Sequence, residues 1–371
     1  MTAVFLMDSV KVALPEVNIA IVAITRGGAR LGQQLIKNLA SHDFYVSSRY
    51  AGQAGADCQR FEPTELRSLF AALWKKYDGF VLIMATGIVV RMIAPLLESK
   101  ETDPAVVVMD DAGRFAISLI SGHIGGANEL AERCAFATGA RPIITTATDT
   151  NNLPSFDMLA KEQGWGIDDI SQVKTLNTLL LDNKEIAVFD PSGCTRNWLH
   201  GRGKITFHKS LTEATNSGAH GFLFVSNRHI PQQNCPERLL ILRPRNLVLG
   251  IGCNRGTPAD EIEEFVILNL KRLFLSQKSI FCIASVAAKR DEAGLLEFAV
   301  RLGVPLRCFE SDDLSMIPFP SPPSEHALAA VGVAGVAEPA AILASGGGLL
   351  LLKKVKSTNV TLAVAQLKEE L

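Results

Sequence analysis

Ser118-Leu-Ile-Ser-Gly-His-Ile-Gly-Gly-Ala-Asn-Glu-Leu-Ala131 holds the reading of the chain. Phe115 to Ile120 is a short apolar run that reads as a strand, and the residues from Ala127 read as a helix. Between them Ser121, Gly122, His123, Gly125 and Gly126 make a glycine-rich turn. Strand, glycine turn, helix is the building unit of an α/β protein. Glycine lacks a Cβ and lets backbone approach a ligand closely. A helix start leaves N–H groups unpaired, and an imidazole titrates near neutrality. The same turn also occurs without function, its histidine serving only the local structure.

The unit recurs on both sides of this stretch. Ile19 to Ile24 reads as a buried parallel strand, ends at Thr25-Arg-Gly-Gly28, and gives way to a helix carrying Leu31, Leu35 and Leu39. Phe44 to Ser47, Phe80 to Ala85, Ala105 to Met109 and Pro142 to Thr146 are further strands, with helices over Pro63 to Lys76 and Ile88 to Leu97. Residues 1–150 therefore read as an N-terminal parallel-sheet α/β domain. Its loops Thr25–Gly28, Thr86-Gly87, Asp110–Gly113, Ser121–Gly126 and Thr145–Asp149 all follow strands. Ligands of open parallel sheets bind beyond the carboxyl ends of strands, so these five tips are expected to wall one cleft. Residues 151–243 read as a small α/β middle domain with helices at Pro154 to Gln163 and Gln172 to Leu181. Its strands are Glu185 to Phe189, Lys204 to Phe207 and Phe222 to Val225. Asn197, His200, Arg202 and His208 are scattered there without metal-ligand spacing, and no chemistry is assigned to it. Residues 244–371 read as a C-terminal α/β domain with a Gly-rich first turn. A strand from Asn246 runs into Gly252-Cys-Asn-Arg-Gly-Thr-Pro-Ala259, and further strands follow at Ser279 to Ser285, Val304 to Leu306, Leu349 to Leu352 and Thr361 to Leu367. Asp312 to Pro323 reads as a Pro/Ser-rich connection.

Composition narrows the function. With 371 residues and 47% hydrophobic content, the chain has material for two or three cores. Its 37 basic and 38 acidic residues leave a net charge of −1, which argues against nucleic acid as a partner. The seven cysteines stand singly with no CxxC pair, as in a reducing cytosol. There is neither a secretory leader nor an apolar run of about 18 residues, so no membrane partner is expected and the chain reads as cytoplasmic.

Gly250-Ile-Gly-Cys-Asn-Arg-Gly256 gives G-x-G-x-x-x-G, one residue off the dinucleotide fingerprint, and the following strand ends without an acidic residue. The P-loop motif and the G-x-S-x-G elbow are both absent. Cys253 is either a nucleophile activated at a helix start or a small buried apolar residue, and the second reading is preferred. Arg255 is either an anion ligand or a surface charge. His123 has the chemistry of a general base. Asp110 and Asp111 either orient it or shape a turn, while Arg91, Lys100 and Arg114 are cations near strand-end loops.

Taken together, several stretches resemble the cobalt-precorrin-5A hydrolase family. For the N-terminal domain these are Gly87-Ile-Val-Val-Arg91, Asp103-Pro-Ala-Val-Val107, Ser121 to Ala131 and Thr145-Thr-Ala-Thr-Asp149. For the C-terminal domain they are Gly250 to Gly256, Gly294-Leu-Leu to Val304-Pro305, Val331-Gly-Val and Glu338-Pro-Ala-Ala341. The middle domain corresponds by position only, and Asn254 stands where a basic residue is expected. The resemblance implies an enzyme of anaerobic cobalamin biosynthesis that opens the δ-lactone of a cobalt-bearing tetrapyrrole and expels acetaldehyde, giving cobalt-precorrin-5B. It implies no cofactor and no protein-bound metal, since the cobalt belongs to the substrate. On this reading His123 is the base, Asp110 orients it, and the helix start from Gly125 to Asn128 donates to the oxyanion. Arg91 and Arg255 take substrate carboxylates, and Gly122, Gly125, Gly126, Thr145, Thr146, Gly252 and Glu338 line the substrate. Beyond the substrate, a second copy of the chain or another enzyme of the pathway stands open as a partner. The competing reading is a non-catalytic tetrapyrrole carrier or adapter of the same pathway.

Overall fold

Buried β-branched runs and glycine turns produce three sheets. The computed structural model describes residues 18–39, 42–99, 102–123, 125–231 and 235–368. The chain divides into two compact units, 1–158 and 159–371.

In the first unit the strands are β1 (Ile19–Ala23), β2 (His42–Ser47), β3 (Gln59–Phe61), β4 (Gly79–Ile83), β5 (Ala105–Met109), β6 (Phe115–Ile120) and β7 (Arg141–Ile143). They form one sheet in the order β3-β2-β1-β4-β5-β6-β7. β1, β4 and β5 are buried at all five positions, as expected of strands covered on both faces. The helices are α1 (Arg26–Leu35), α2 (Leu66–Leu73), α3 (Thr86–Ile93), α4 (Ala127–Thr138) and α5 (Ala147–Thr150). One face of the sheet is covered by α1 and α4 through Ala29, Leu35, Leu130, Ala131 and Cys134. The other is covered by α2 and α3 through Phe70, Leu73, Val89 and Ile93. Trp74 stacks on Phe80 with ring centroids 5.4 Å apart, and each such fully buried ring is worth about 1.5–3 kcal/mol of transfer energy.

The sheet is mixed, which corrects the expectation of a parallel one. β6 pairs antiparallel with β5, and β7 runs parallel to β6. The cause is a tight turn: Gly113 N donates to Asp110 O at 2.9 Å, and Gly113 takes φ +66°, open to glycine at little cost. Only a few residues separate the two strands, too few for a parallel crossover.

The second unit holds two five-stranded sheets. Its entry helix α6 (Phe156–Glu162) starts in the first unit. The middle sheet contains β8 (Gly166–Ile167), β9 (Ile186–Phe189), β10 (Ile205–His208), β11 (Gly221–Val225) and β12 (Leu239–Arg243) in the order β10-β9-β11-β12-β8. All are parallel except β8. β12, the apolar run Leu239 to Leu242, is a strand beyond those expected from the sequence. Helices α7 (Ile170–Leu181), α8 (Arg196–Leu199) and α9 (Leu211–Thr215) accompany it. The last sheet contains β13 (Leu247–Cys253), β14 (Ile280–Val286), β15 (Leu306–Phe309), β16 (Leu350–Lys356) and β17 (Val360–Gln366) in the order β15-β14-β13-β17-β16. Here β17 runs antiparallel to both β13 and β16. Its helices are α10 (Ala259–Arg272), α11 (Ala293–Leu302), α12 (Ser311–Ser315), α13 (Glu325–Val331) and α14 (Ala337–Ala344), so the presumed connection after Asp312 begins inside a short helix. Among the described residues no helix is long and apolar enough to cross a membrane.

Gly250 in β13 and Gly294 in α11 are there for contact. A Cβ on Gly250 would lie 1.8 Å from the Ala337 carbonyl oxygen, and one on Gly294 would lie 2.1 Å from that of Thr257. Helix α14 can therefore rest directly on β13. Gly250→Ala is expected to lose about 3 kcal/mol, the upper range for overpacking, because backbone rather than a flexible side chain must move. Urea unfolding of the variant against wild type measures this.

Candidate active site

Reversal of β6 divides the five strand-end loops between the two edges of the first sheet. Thr25–Gly28, Thr86-Gly87 and Asp110–Gly113 lie at the carboxyl ends of β1, β4 and β5. Ser121–Gly126 and Thr145–Asp149 follow β6 and β7 and lie at the opposite edge. The five tips expected to wall a single cleft therefore stand in two groups, separated by the length of β5, about 13 Å.

The first edge is closed by its own hydrogen bonds. Asp110 Oδ1 accepts from Arg114 N at 2.8 Å and Phe115 N at 2.7 Å. Burial works to raise the Asp110 carboxyl, but these amides and the Arg114 charge outweigh it and hold the group below the ordinary carboxylate range. Asp111 accepts from Thr25 Oγ1 and, at 2.7 Å, from Gly28 N, tying the hairpin to the start of α1. Both aspartates thus serve the turn and its anchor, and the Asp110–His123 pairing expected from the sequence is not made. Arg91 sits exposed partway along α3, its Nη1 donating to Gly87 O at 3.2 Å. Lys100 lies outside the described residues.

At the second edge the structure gathers His123, Asn128, Thr146, Thr148 and Asp149. His123 Nε2 is 3.0 Å from Thr148 Oγ1 and 3.7 Å from Asp149 Oδ2. The imidazole keeps 23% of its side-chain surface and the carboxylate 46%, so both are reachable by a ligand. Asn128 fixes the carboxylate: Oδ1 accepts from Ser118 Oγ at 2.7 Å, while Nδ2 donates to Thr146 Oγ1 and to Asp149 Oδ2, each at 3.2 Å. Thr146 Oγ1 also donates to Asp149. The carboxylate partner of His123 is therefore Asp149, the last residue of Thr145-Thr-Ala-Thr-Asp149, for which no role is expected from the sequence. The signal available was a lone carboxylate among hydroxyls at a strand end.

The glycines of this loop fit side chains rather than a ligand. A Cβ on Gly122 would lie 2.8 Å from Asn128 Oδ1, and one on Gly125 would lie 2.4 Å from Ser121 Cβ. Gly126 takes φ +89° and Ser121, less comfortably, φ +57°. The turn winds so tightly that Gly126 N, Ala127 N and Asn128 N donate to the carbonyls of His123, Ser121 and Gly122 at 2.9, 3.0 and 3.0 Å. Those three amides are consumed, so the oxyanion role expected of this helix start is not theirs in this conformation. Thr145 is exposed at the mouth of the same loop.

The remaining sequence candidates belong to the second unit. Gly252 packs against Thr361, whose Oγ1 donates to Gly252 O at 3.1 Å. Burial pushes the Cys253 thiol up to about 11, so it is no activated nucleophile, in keeping with the preferred reading. Arg255 is exposed. Beside it Glu292 is nearly buried, accepting from Gly256 N at 2.7 Å and from Lys289 Nζ at 2.9 Å. Glu338 is 1% exposed and accepts from Ser321 N at 3.2 Å, Ser321 Oγ at 2.9 Å and Lys354 N at 3.0 Å. These bonds make Glu338 a clasp between the start of α14, the loop at Ser321 and β16.

Fold and site together define a three-sheet α/β protein in which the loop after β6 and the helix after β7 bring a histidine, a threonine and an aspartate together. Three family models match it: Cobalamin synthesis G N-terminal over residues 68–149, Cobalamin biosynthesis central region over 154–244, and Cobalamin synthesis G C-terminus over 247–365. A cobalt-precorrin-5A hydrolase of Priestia megaterium is 37% identical, with 93% of this chain and 94% of that one covered. The cobalt-precorrin-5A hydrolase of Salmonella typhimurium is 32% identical, with 97% and 100% covered. A solved structure of a cobalamin biosynthesis protein G homologue from Sulfolobus solfataricus is 22% identical with a TM-score of 0.34, covering 95% of this chain and 99% of that one. The chain belongs to the cobalt-precorrin-5A hydrolase family.

The Glu292 clasp makes stability depend on acid. Burial alone would raise the Glu292 carboxyl, but the Lys289 hydrogen bond, the Gly256 amide and the charges of Lys289 and Arg255 outweigh it, and the net shift is downward. A carboxyl lowered on folding stabilises the protein above its unfolded value and loses that contribution as pH falls through its folded value. Glu292→Gln is expected to cost about 2 kcal/mol at neutral pH, as for a hydrogen bond to a charged group. The gap from wild type should close as pH drops below about 4, which urea denaturation at a series of pH values would read.

Proposed function

We propose that this chain hydrolyses cobalt-precorrin-5A in the cytoplasm, opening the δ-lactone and releasing acetaldehyde, with His123 moving the proton. The observation that carries the reading is the grouping of His123 Nε2, on the loop after β6, with Thr148 Oγ1 at 3.0 Å and Asp149 Oδ2 at 3.7 Å, both in α5. The relatives named as hydrolases of that substrate supply its identity and do not favour the carrier reading.

The nearby carboxylate favours the proton on Nε2, directed at Thr148 and Asp149, and leaves the lone pair on Nδ1. Nδ1 takes a proton from water as the oxygen adds to the lactone carbonyl. The tetrahedral adduct then breaks its acyl C–O bond, giving a carboxyl group and an alkoxide. The alkoxide collapses to acetaldehyde: its carbon–carbon bond to the macrocycle breaks, the electron pair enters the conjugated ring, and the imidazolium returns its proton. No redox partner is needed, and the cobalt is the substrate's own. Asn128 and Thr146 act by holding Asp149, so they are positioning residues. Arg91 and Arg255 are both exposed and are proposed as carboxylate-binding cations.

Acetaldehyde release from cobalt-precorrin-5A by the purified chain tests the activity directly. His123→Ala should lower kcat at least about 100-fold, the contribution of a positioned base. Asn128→Ala should lower kcat by about tenfold with KM nearly unchanged, since geometry rather than affinity is lost. Wild-type turnover in His123→Ala would remove the histidine from the mechanism.

A further inference from the structure

The middle sheet, to which the sequence assigned no chemistry, opens into a cavity of about 880 Å³ within the second unit. It lies beyond the carboxyl ends of β9, β11 and β12, where open α/β sheets bind ligands, and β17 supplies its far rim. The volume falls at the upper end of the small-molecule range of roughly 300–1,000 Å³. Its apolar lining includes Trp165, Phe189, Leu211, Phe224 and Ile230. Its charged lining is Arg228, Arg245 and Lys368, with His229 beside them and no aspartate or glutamate among the described residues. The chain as a whole carries 38 acidic against 37 basic residues, so a lining of one sign is a local arrangement.

The cavity's loops are held in place from beneath. Arg243 is fully buried and donates through Nε to Asp168 Oδ1 at 2.9 Å, with Nη2 on Asp168 Oδ2. Its Nη1 donates to Ser226 O at 2.9 Å and Arg228 O at 2.6 Å. The loop after β11, which carries Arg228, therefore has its carbonyls tied inward. The same loop is bound to the last sheet's segment by Ser276 N to Asn227 O at 2.8 Å and His229 N to Phe274 O at 2.6 Å. Asn227 Nδ2 also donates to Asn246 Oδ1 at 3.0 Å and Gln366 Oε1 at 3.3 Å, joining three lining segments. Loops tied in this way meet a ligand with little ordering cost.

We infer that this cavity is a binding site for a flat polycarboxylate macrocycle, the tetrapyrrole class of the proposed substrate and product. Aromatic and aliphatic walls take the ring, and Arg228, Arg245 and Lys368 take carboxylates at its rim. The three cations come from three separate segments, a spread that suits carboxylates around a ring better than one compact phosphate. The class of ligand rests on the proposed function, whereas the amphipathic cationic character of the site does not.

Uroporphyrin, a stable planar octacarboxylate, is the probe, titrated into the full chain and read by quenching of tryptophan fluorescence. The double variant Arg245→Ala/Lys368→Ala should weaken binding by about tenfold or more, equivalent to about 1.4 kcal/mol. Wild-type affinity should fall as salt rises from about 0.05 to 0.5 M, and that of the double variant much less. Thr212→Trp, which fills the cavity without changing charge, should also weaken binding. Variants that bind uroporphyrin as wild type does would overturn the inference, and so would ATP displacing the porphyrin at comparable concentration. Acetaldehyde release with unaltered porphyrin affinity in the variants would sink this site and spare the enzymatic reading. Charge-dependent porphyrin binding without acetaldehyde release would do the reverse.

Discussion

The turn at Asp110–Gly113 is the constraint on which the first unit depends. Had β5 been followed by a helical crossover, β6 would have run parallel, and its histidine would have emerged beside Thr25–Gly28 and Thr86-Gly87. Instead Asp110 closes the turn on the amides of Arg114 and Phe115, and Asp111 clamps it to Gly28. Reversal carries His123 to the edge where β1, β4 and β5 begin. β7 follows β6 in direction and brings Thr146, Thr148 and Asp149 to the same place. One hairpin thus decides which carboxylate the imidazole meets.

Glycine carries two different meanings along this chain. At Gly250 and Gly294 the missing Cβ lets β13 and α11 lie against the carbonyl oxygens of Ala337 and Thr257. At Gly122 and Gly125 it leaves room for the Asn128 amide and for Ser121. In neither place is a glycine reserved for a ligand's approach. What the glycines of the histidine loop secure is indirect: a turn compact enough for Asn128 to reach Thr146 and Asp149 while the imidazole stays accessible. His123, Asn128 and Asp149 are placed by side-chain hydrogen bonds, and the helix-start amides are spent in winding the turn.

Most elements were legible because burial on both faces leaves uninterrupted apolar runs, as in β1, β4 and β5. Strand direction was not, because a short Asp-Asp-Ala-Gly segment reads as a loop tip whether the next strand returns or crosses over. The setting of His123 singles it out in the sequence; the carboxylate beside it is not singled out, since sequence distance ranks Asp110 ahead of Asp149 and only the reversal changes that order in space. Glu338 illustrates a second limit. The resemblance places it against the substrate, but here it is buried and bonded to backbone amides of neighbouring segments. The middle sheet failed differently: Leu239–Arg243 ends in a charge, which hid its role as a central strand.

That terminal charge is where the second unit becomes coherent. A fully buried guanidinium is costly unless every donor is met and its charge is balanced. Arg243 meets the condition with one carboxylate and two carbonyls, and Asp168 is accordingly held below the ordinary carboxylate range: burial opposes this, and the Arg243 hydrogen bonds and charge prevail. Asp168 lies just after the antiparallel edge strand β8, and Lys278 from the last sheet's segment donates to its carbonyl at 2.9 Å. The ion pair therefore joins the middle sheet's edge strand, the loop after β11 and the approach to β14. An apolar pair of equal volume would fill the same space, but it could not hold the carbonyls of Ser226 and Arg228, and the loop bearing Arg228, one of the cavity's three cations, would lose its fixed path.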